Sequence, residues 1–130
     1  MGDAAKEFKR VVETLSDGRL EVRIDYPSKH KSPFGILDFV KGGQYDIGYT
    51  ASYYYKGKDA NTMFFTAVPF GMTATELRAW YEFGGGKQLE EKVYDKYNIK
   101  VFLAGDTGTQ MGGWFKKEIK SVEDLKGLKI

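Results

Sequence analysis

The 130 residues carry 20 Lys and Arg against 18 Asp and Glu, a net charge of +2, with 42% apolar and 29% charged residues. This balance is that of an ordinary globular chain: too apolar for intrinsic disorder, and without the basic stripe that nucleic-acid binding needs. The absence of cysteine excludes disulfides, thiol nucleophiles and cysteine-ligated zinc. No run of about 18 or more apolar residues is present to make a spanning helix. No leader segment is visible ahead of the charged first helix.

The length suits one compact domain of roughly 100–150 residues. In chain order, Ala5, Phe8, Val11, Val12 and Leu15 recur at three- and four-residue steps and predict a helix over 4–15, stopped near Gly18. Leu20 to Tyr26 alternates with period two and predicts a strand ended by Pro27. Ser32-Pro33 reads as a cap and first helical residue, opening a helix through Phe34, Leu37 and Val40 to Gly42-Gly43. Asp46 to Thr50 predicts a short strand that leads into the aromatic run Tyr53-Tyr54-Tyr55.

Thr73 with Glu76 forms a capping box that opens a helix containing Leu77 and Trp80. Gly84-Gly85-Gly86 breaks that helix, and a second continues to about Tyr97. Ile99 to Ala104 predicts a strand, followed by a glycine-dense loop, Trp114-Phe115 and a short helical turn from Ser121 with Asp124 three residues on. Leu128-Lys129-Ile130 reads as a final strand. Strands alternating with helices predict an α/β fold with a largely parallel sheet and flanking helices, and both ends read as cut from something longer.

Residues able to carry chemistry are few. His30, the one histidine, lies between Lys29 and Lys31 and reads as a solvated surface-loop residue. With one His and no Cys, nothing points to a nucleophilic triad, and no GxxxxGK[ST] or GxGxxG phosphate motif is present. Tyr53 and Tyr54 follow a strand end, where open α/β sheets place ligands. Such tyrosines offer both a stacking face and a hydroxyl, although core packing is the plainer reading. Gln110 follows a strand too; its amide presents an acceptor and two donors, suited to a small polar ligand or a cation, or simply to solvent. The glycines around Gly108 and Gly112-Gly113 serve tight turns or close approach to a ligand equally well.

Several blocks, in order, resemble the solute-binding proteins of tripartite ATP-independent periplasmic (TRAP) transporters. They are ETLSDGRL over 13–20, DIGYTASYYYKGK over 46–58, FTAVPFGMT over 65–73, the glycine break at 84–86, TGTQMGGWF over 107–115 and SVEDLKGLKI over 121–130. The branch most similar binds 2-oxo acids and related carboxylates.

The resemblance implies that 1–130 form one partial, N-terminal lobe, truncated at both ends, of a two-lobed type II-like periplasmic binding protein that closes on a small organic carboxylate. It implies a receptor rather than an enzyme, located in the periplasm, that delivers its ligand to TRAP membrane permease subunits and has no nucleic-acid partner. Tyr53, Tyr54 and Gln110 match ligand-site positions. No cofactor is implied, but the resemblance admits a sodium or calcium ion in the complete protein, with Gln110 among its ligands, and a homodimer. The family's carboxylate-holding arginine would follow directly on Ile130. Asp106 stands where the pattern has asparagine, a charge that repels an anion unless paired. Two other readings are an enzyme built on the glycine loop and Asp106, and a stand-alone interaction or sensor domain that self-associates through an open sheet edge.

Overall fold

The computed structural model describes residues 2–30, 32–108, 110 and 112–128. The first helix, α1 (Gly2–Leu15), starts two residues earlier than its periodicity predicts. It ends where Asp17 and Gly18 take left-handed backbone angles (φ 50° and 71°) and the Gly18 N–H caps the Glu13 carbonyl at 3.0 Å. Past this turn the expected strand 20–26 runs without a strand partner. Both backbone groups of Val22 are taken by α1 side chains instead. The Val22 N–H donates to Glu13 Oε1 (3.0 Å) and its carbonyl accepts from Lys9 Nζ (2.7 Å).

The Ser32-Pro33 signal opens a single 3-10 turn, Pro33–Gly35, which passes into the short helix α2 (Ile36–Lys41). Ser32 caps it as expected, its hydroxyl accepting from the Phe34 N–H at 3.3 Å. Two further 3-10 turns follow. One carries the tyrosine run (Ser52–Tyr55). The other (Ala60–Phe65) is capped by Asp59, whose Oδ1 accepts from the Asn61 N–H at 2.9 Å. The capping box at Thr73 and Glu76 opens α3 (Ala74–Phe83) as predicted, with Thr73 N–H donating to Glu76 Oε2 at 2.8 Å.

The glycine break joins α3 to α4 (Gly86–Asp95) for two physical reasons. Gly85 sits at φ +89°, and a Cβ on Gly86 would lie 2.7 Å from the Trp80 ring. Trp80 in turn lies nearly parallel to Phe65, centroids 6.2 Å apart. Near the C-terminus, Ser121 and Asp124 form a second capping box at the 3-10 turn Val122–Leu125.

Among the described residues no strand is assigned, so the expected parallel sheet is not formed there. Segments 20–26, 46–50 and 99–104 share no backbone hydrogen bond with one another. A ladder needs backbone N–H and C=O groups exchanged with a second chain at about 4.8 Å, and these three segments exchange none with one another. Most of the final strand prediction, at 129–130, lies outside the described residues.

Packing centres on Leu37, Tyr55 and Tyr94, with Val93, Tyr97, Ile99 and Val101 against them. The Tyr55 hydroxyl donates to Thr50 Oγ1 at 2.9 Å. Two polar links along α4 add to this centre: Ser52 donates to Glu90 at mid-helix, and Lys96, just past the helix, pairs with Asp59. Beyond this centre little is buried. The chain exposes 10,744 Å², against about 6,900 Å² for a compact monomer of the same mass. Phe70, Phe83, Trp114 and Phe102 stand largely in solvent.

Two consequences can be measured. Leu37→Ala removes a buried side chain at the centre, and the urea midpoint should fall by the equivalent of about 2–5 kcal/mol. Asp59 has its carboxyl held below the ordinary 3.8, first by Lys96 and then by the Asn61 N–H. A lowered folded pKa gives stability that is present above the unfolded value and lost as pH falls through the folded one. Asp59→Asn should therefore flatten the acid limb of the stability curve below 3.8 while leaving the slope near neutrality as it was.

Candidate functional site

The tyrosine turn is short because Ala51 enters it with extended backbone (φ −115°, ψ 133°) and Lys56 closes it. Its geometry divides the three rings. Tyr55 points inward and is buried, whereas Tyr53 and Tyr54 emerge about 40% exposed on the other side. The two outer rings meet edge to face with centroids 4.5 Å apart, and Phe34 packs on Tyr54 in the same manner at 5.0 Å. Together with Met63, Phe64 and the Val68-Pro69 segment they line an open groove of about 590 Å³.

Lys56 is the one cationic side chain on that groove among the described residues. The adjacent Tyr54 hydroxyl raises the Tyr53 phenol above its ordinary value, so near neutral pH it is a neutral donor and acceptor. An aromatic wall, two phenol hydroxyls and one ammonium make a surface suited to a small anion with an apolar part.

Of the three residues singled out in the sequence, the structure brings Tyr53 and Tyr54 together. Gln110 does not line their groove. It is exposed on the 105–115 segment, where its Nε2 donates to Thr107 Oγ1 at 2.7 Å. Asp106, nearby, turns one carboxylate oxygen onto the Gly108 N–H at 2.8 Å. This is a local turn contact, and among the described residues no cation pairs with the charge.

The reading of His30 as a solvated loop residue needs correction. Its ring is half-buried against Phe39 (centroids 5.0 Å) and Tyr45 (5.2 Å), on a second pocket of about 180 Å³ between α1 and α2. Tyr45 donates its hydroxyl to Asp25 Oδ2 at 2.9 Å, and His30 Nε2 lies 2.9 Å from the Tyr45 hydroxyl oxygen. A carboxylate only accepts, so the phenol proton is committed to Asp25 and His30 Nε2–H must be the donor to Tyr45. The neighbouring Ser32 hydroxyl is engaged with the Phe34 N–H, and Asp25 faces Tyr45 and Lys29 rather than the imidazole. The cluster lacks the order of nucleophile, base and orienting carboxylate that a triad requires.

Sequence reasoning overlooked several residues that shape the groove. The helical spacing of Phe34 with Leu37 and Val40 assigns it to packing, and Lys56 carries no signal beyond its place in the 46–58 motif. Asp59, directly before the unpredicted turn, was a legible N-cap signal. Glu90, beneath the tyrosines, left no signal in its local charged stretch.

Known proteins resemble this chain along its whole length. The family model of the bacterial extracellular solute-binding protein, family 7 (DctP), matches residues 1–130. A monocarboxylate 2-oxoacid-binding periplasmic protein of Nostoc sp. is 47% identical over 122 residues, covering 94% of this chain. The chain spans about a third of that relative's length, 33%.

Among solved structures, a TRAP periplasmic solute-binding protein of Colwellia psychrerythraea with bound calcium and pyruvate is 63% identical. It matches 98% of this chain and 39% of its own, with a TM-score of 0.93. A counterpart from Pseudoalteromonas atlantica, with bound sodium and pyruvate, is 62% identical with the same TM-score of 0.93 and the same coverage, 98% and 39%. A third, from Bordetella bronchiseptica with copurified calcium and picolinate, is 37% identical over 97% of this chain and 38% of its own, TM-score 0.90. With the whole of its length matched, this chain belongs to the family 7 bacterial extracellular solute-binding proteins.

Proposed function

We propose that this chain supplies one wall of the carboxylate site of a TRAP-type receptor for pyruvate or a related 2-oxo acid. The observation that carries the reading is the Tyr53–Tyr54 groove with Lys56 on its rim, in a chain 63% identical to a pyruvate-bound relative. In this reading 1–130 form part of one lobe of a two-lobed protein. The large apolar surface left in solvent, with Phe83 and Trp114 in it, is where the remainder of the receptor packs. Such a receptor works in the periplasm, hands its ligand to membrane permease subunits, and performs no chemistry on it.

The tyrosine hydroxyls donate to the carboxylate while their rings pack on its apolar end, and the Lys56 charge favours the anion. The arginine that the resemblance places after Ile130 is not among the 130 residues. Gln110 fits the accompanying cation as a single ligand. Its amide nitrogen is committed to Thr107, which leaves Oε1, a hard oxygen donor, free to accept. Among the described residues no three His, Asp or Glu gather to hold a metal. The cation's other ligands are then groups outside this set, and bound there it would supply positive charge to the complete site.

The test is calorimetric titration with pyruvate in the presence of calcium, on this chain alone and on a chimera in which it replaces the matching segment of the Colwellia protein. The chimera should saturate at micromolar pyruvate, and Tyr54→Ala in it should weaken binding about tenfold, equivalent to 1.4 kcal/mol. Loss of one charge-assisted anchor costs about 2–5 kcal/mol, so the chain alone should bind at least about 30-fold more weakly than the chimera. A chimera that folds and gives no heat, or one indifferent to Tyr54, would sink the reading.

A further inference from the structure

Glu90 lies on α4 directly beneath the tyrosine turn and is 7% exposed. Among the described residues no cation pairs with it; its Oε1 accepts from the Ser52 hydroxyl at 3.2 Å. Its other surroundings are the Tyr81 hydroxyl of α3, buried beside it without a hydrogen bond of standard geometry, and the phenol of Tyr94. Burial pushes the Glu90 carboxyl above its ordinary value, offset in part by its hydroxyl neighbours, and burial likewise pushes the Tyr94 phenol up to about 12. A buried acid among neutral hydroxyls is costly unless its hydrogen bonds are worth keeping. An apolar residue of similar size would fill the same space without that cost, so helix packing alone does not explain it.

The Ser52–Glu90 bond spans 38 positions in sequence, and Ser52 is the first residue of the 3-10 turn that carries Tyr53 and Tyr54. At its two ends the turn is bonded locally: the Tyr54 N–H reaches the Ala51 carbonyl at 3.1 Å, the Lys56 N–H the Tyr53 carbonyl at 3.3 Å, and the Lys58 and Asp59 N–H groups the Tyr55 carbonyl at 2.8 and 3.0 Å, and none of these bonds ties its start to another element. Its far side is fixed by the buried Tyr55 ring. Its near side has no side-chain cap of its own at Ala51.

We propose that Glu90 is a positioning residue that anchors the start of this turn through Ser52, and thereby fixes how Tyr53 and Tyr54 wall the groove without touching what binds there. Calling the groove a ligand site rests on the reading given above; the anchoring itself does not.

Amide hydrogen exchange on the full 130-residue chain separates the two, because no ligand enters the experiment. Ser52→Ala and Glu90→Leu should each speed exchange at Tyr54 and Lys56 about tenfold. Glu90→Gln keeps an acceptor oxygen of the same reach and should stay within about twofold of the parent. The Glu76 amide in the α3 capping box is the control and should not move. Ser52→Ala carries the test should Glu90→Leu fail to fold. The proposal is overturned if Tyr54 and Lys56 exchange as in the parent when Ser52 loses its hydroxyl. It is equally overturned if Glu90→Gln loosens them as much as Glu90→Leu, or if the control amide accelerates in step with the turn.

Discussion

The described structure depends on one contact, the packing of Tyr55 from the tyrosine turn against Tyr94 of α4 and Leu37 of α2. With no sheet laddered among the described residues, the chain has no backbone scaffold to set distant segments against one another. That task falls to side chains. Two large amphipathic rings suit it, because each buries a wide apolar face and still satisfies a hydroxyl at its rim, as Tyr55 does on Thr50. The polar links on either side, Ser52 with Glu90 and Asp59 with Lys96, confine the same segment to the same helix. Each link is modest, the second partly screened by water. Their value lies in bracketing the apolar contact, so that the turn cannot pivot about it.

Function follows from which way the neighbouring rings face. A 3-10 turn advances about 120° per residue, so three consecutive tyrosines cannot share one side. Burying Tyr55 therefore forces Tyr53 and Tyr54 outward, where Phe34 from the preceding turn completes an aromatic wall. The groove is open, and among the described residues Lys56 is the one cationic side chain on it. In the proposed reading it is one wall of a site, offering stacking surface and neutral donors. The family membership agrees with this incompleteness, since the chain spans 39% of the Colwellia receptor.

Much of the local structure was legible in the sequence, and the reason is that it is decided locally. Helix α1 was marked by an apolar stripe, α3 by the Thr73 and Glu76 box, and the break at 84–86 by glycines required both for a positive φ and for room beside Trp80. The Ser121 and Asp124 box was equally plain. The predicted strands fared differently. Alternation over 20–26 leaves Val22 and Ile24 half-buried with Leu20 and Tyr26 exposed, and alternation cannot say what pairs with the segment. Here Val22 is held by Glu13 and Lys9 of α1. The 3-10 turn after Asp59 went unread because its cap precedes no helical periodicity.

The sequence by itself therefore determined the helices, their caps, the family and the identity of the tyrosines worth examining, since each rests on residues adjacent in the chain or on ordered motifs. Only the tertiary structure decided which tyrosine is buried and which two face the groove. It alone moved His30 from solvent to a half-buried aromatic pocket, and left Gln110 on a segment apart from that groove. It also brought Glu90 under Ser52, 38 residues away. Such placements are set by long-range packing, in which burial is shared among side chains distant in sequence, and no local pattern records how that sharing is settled.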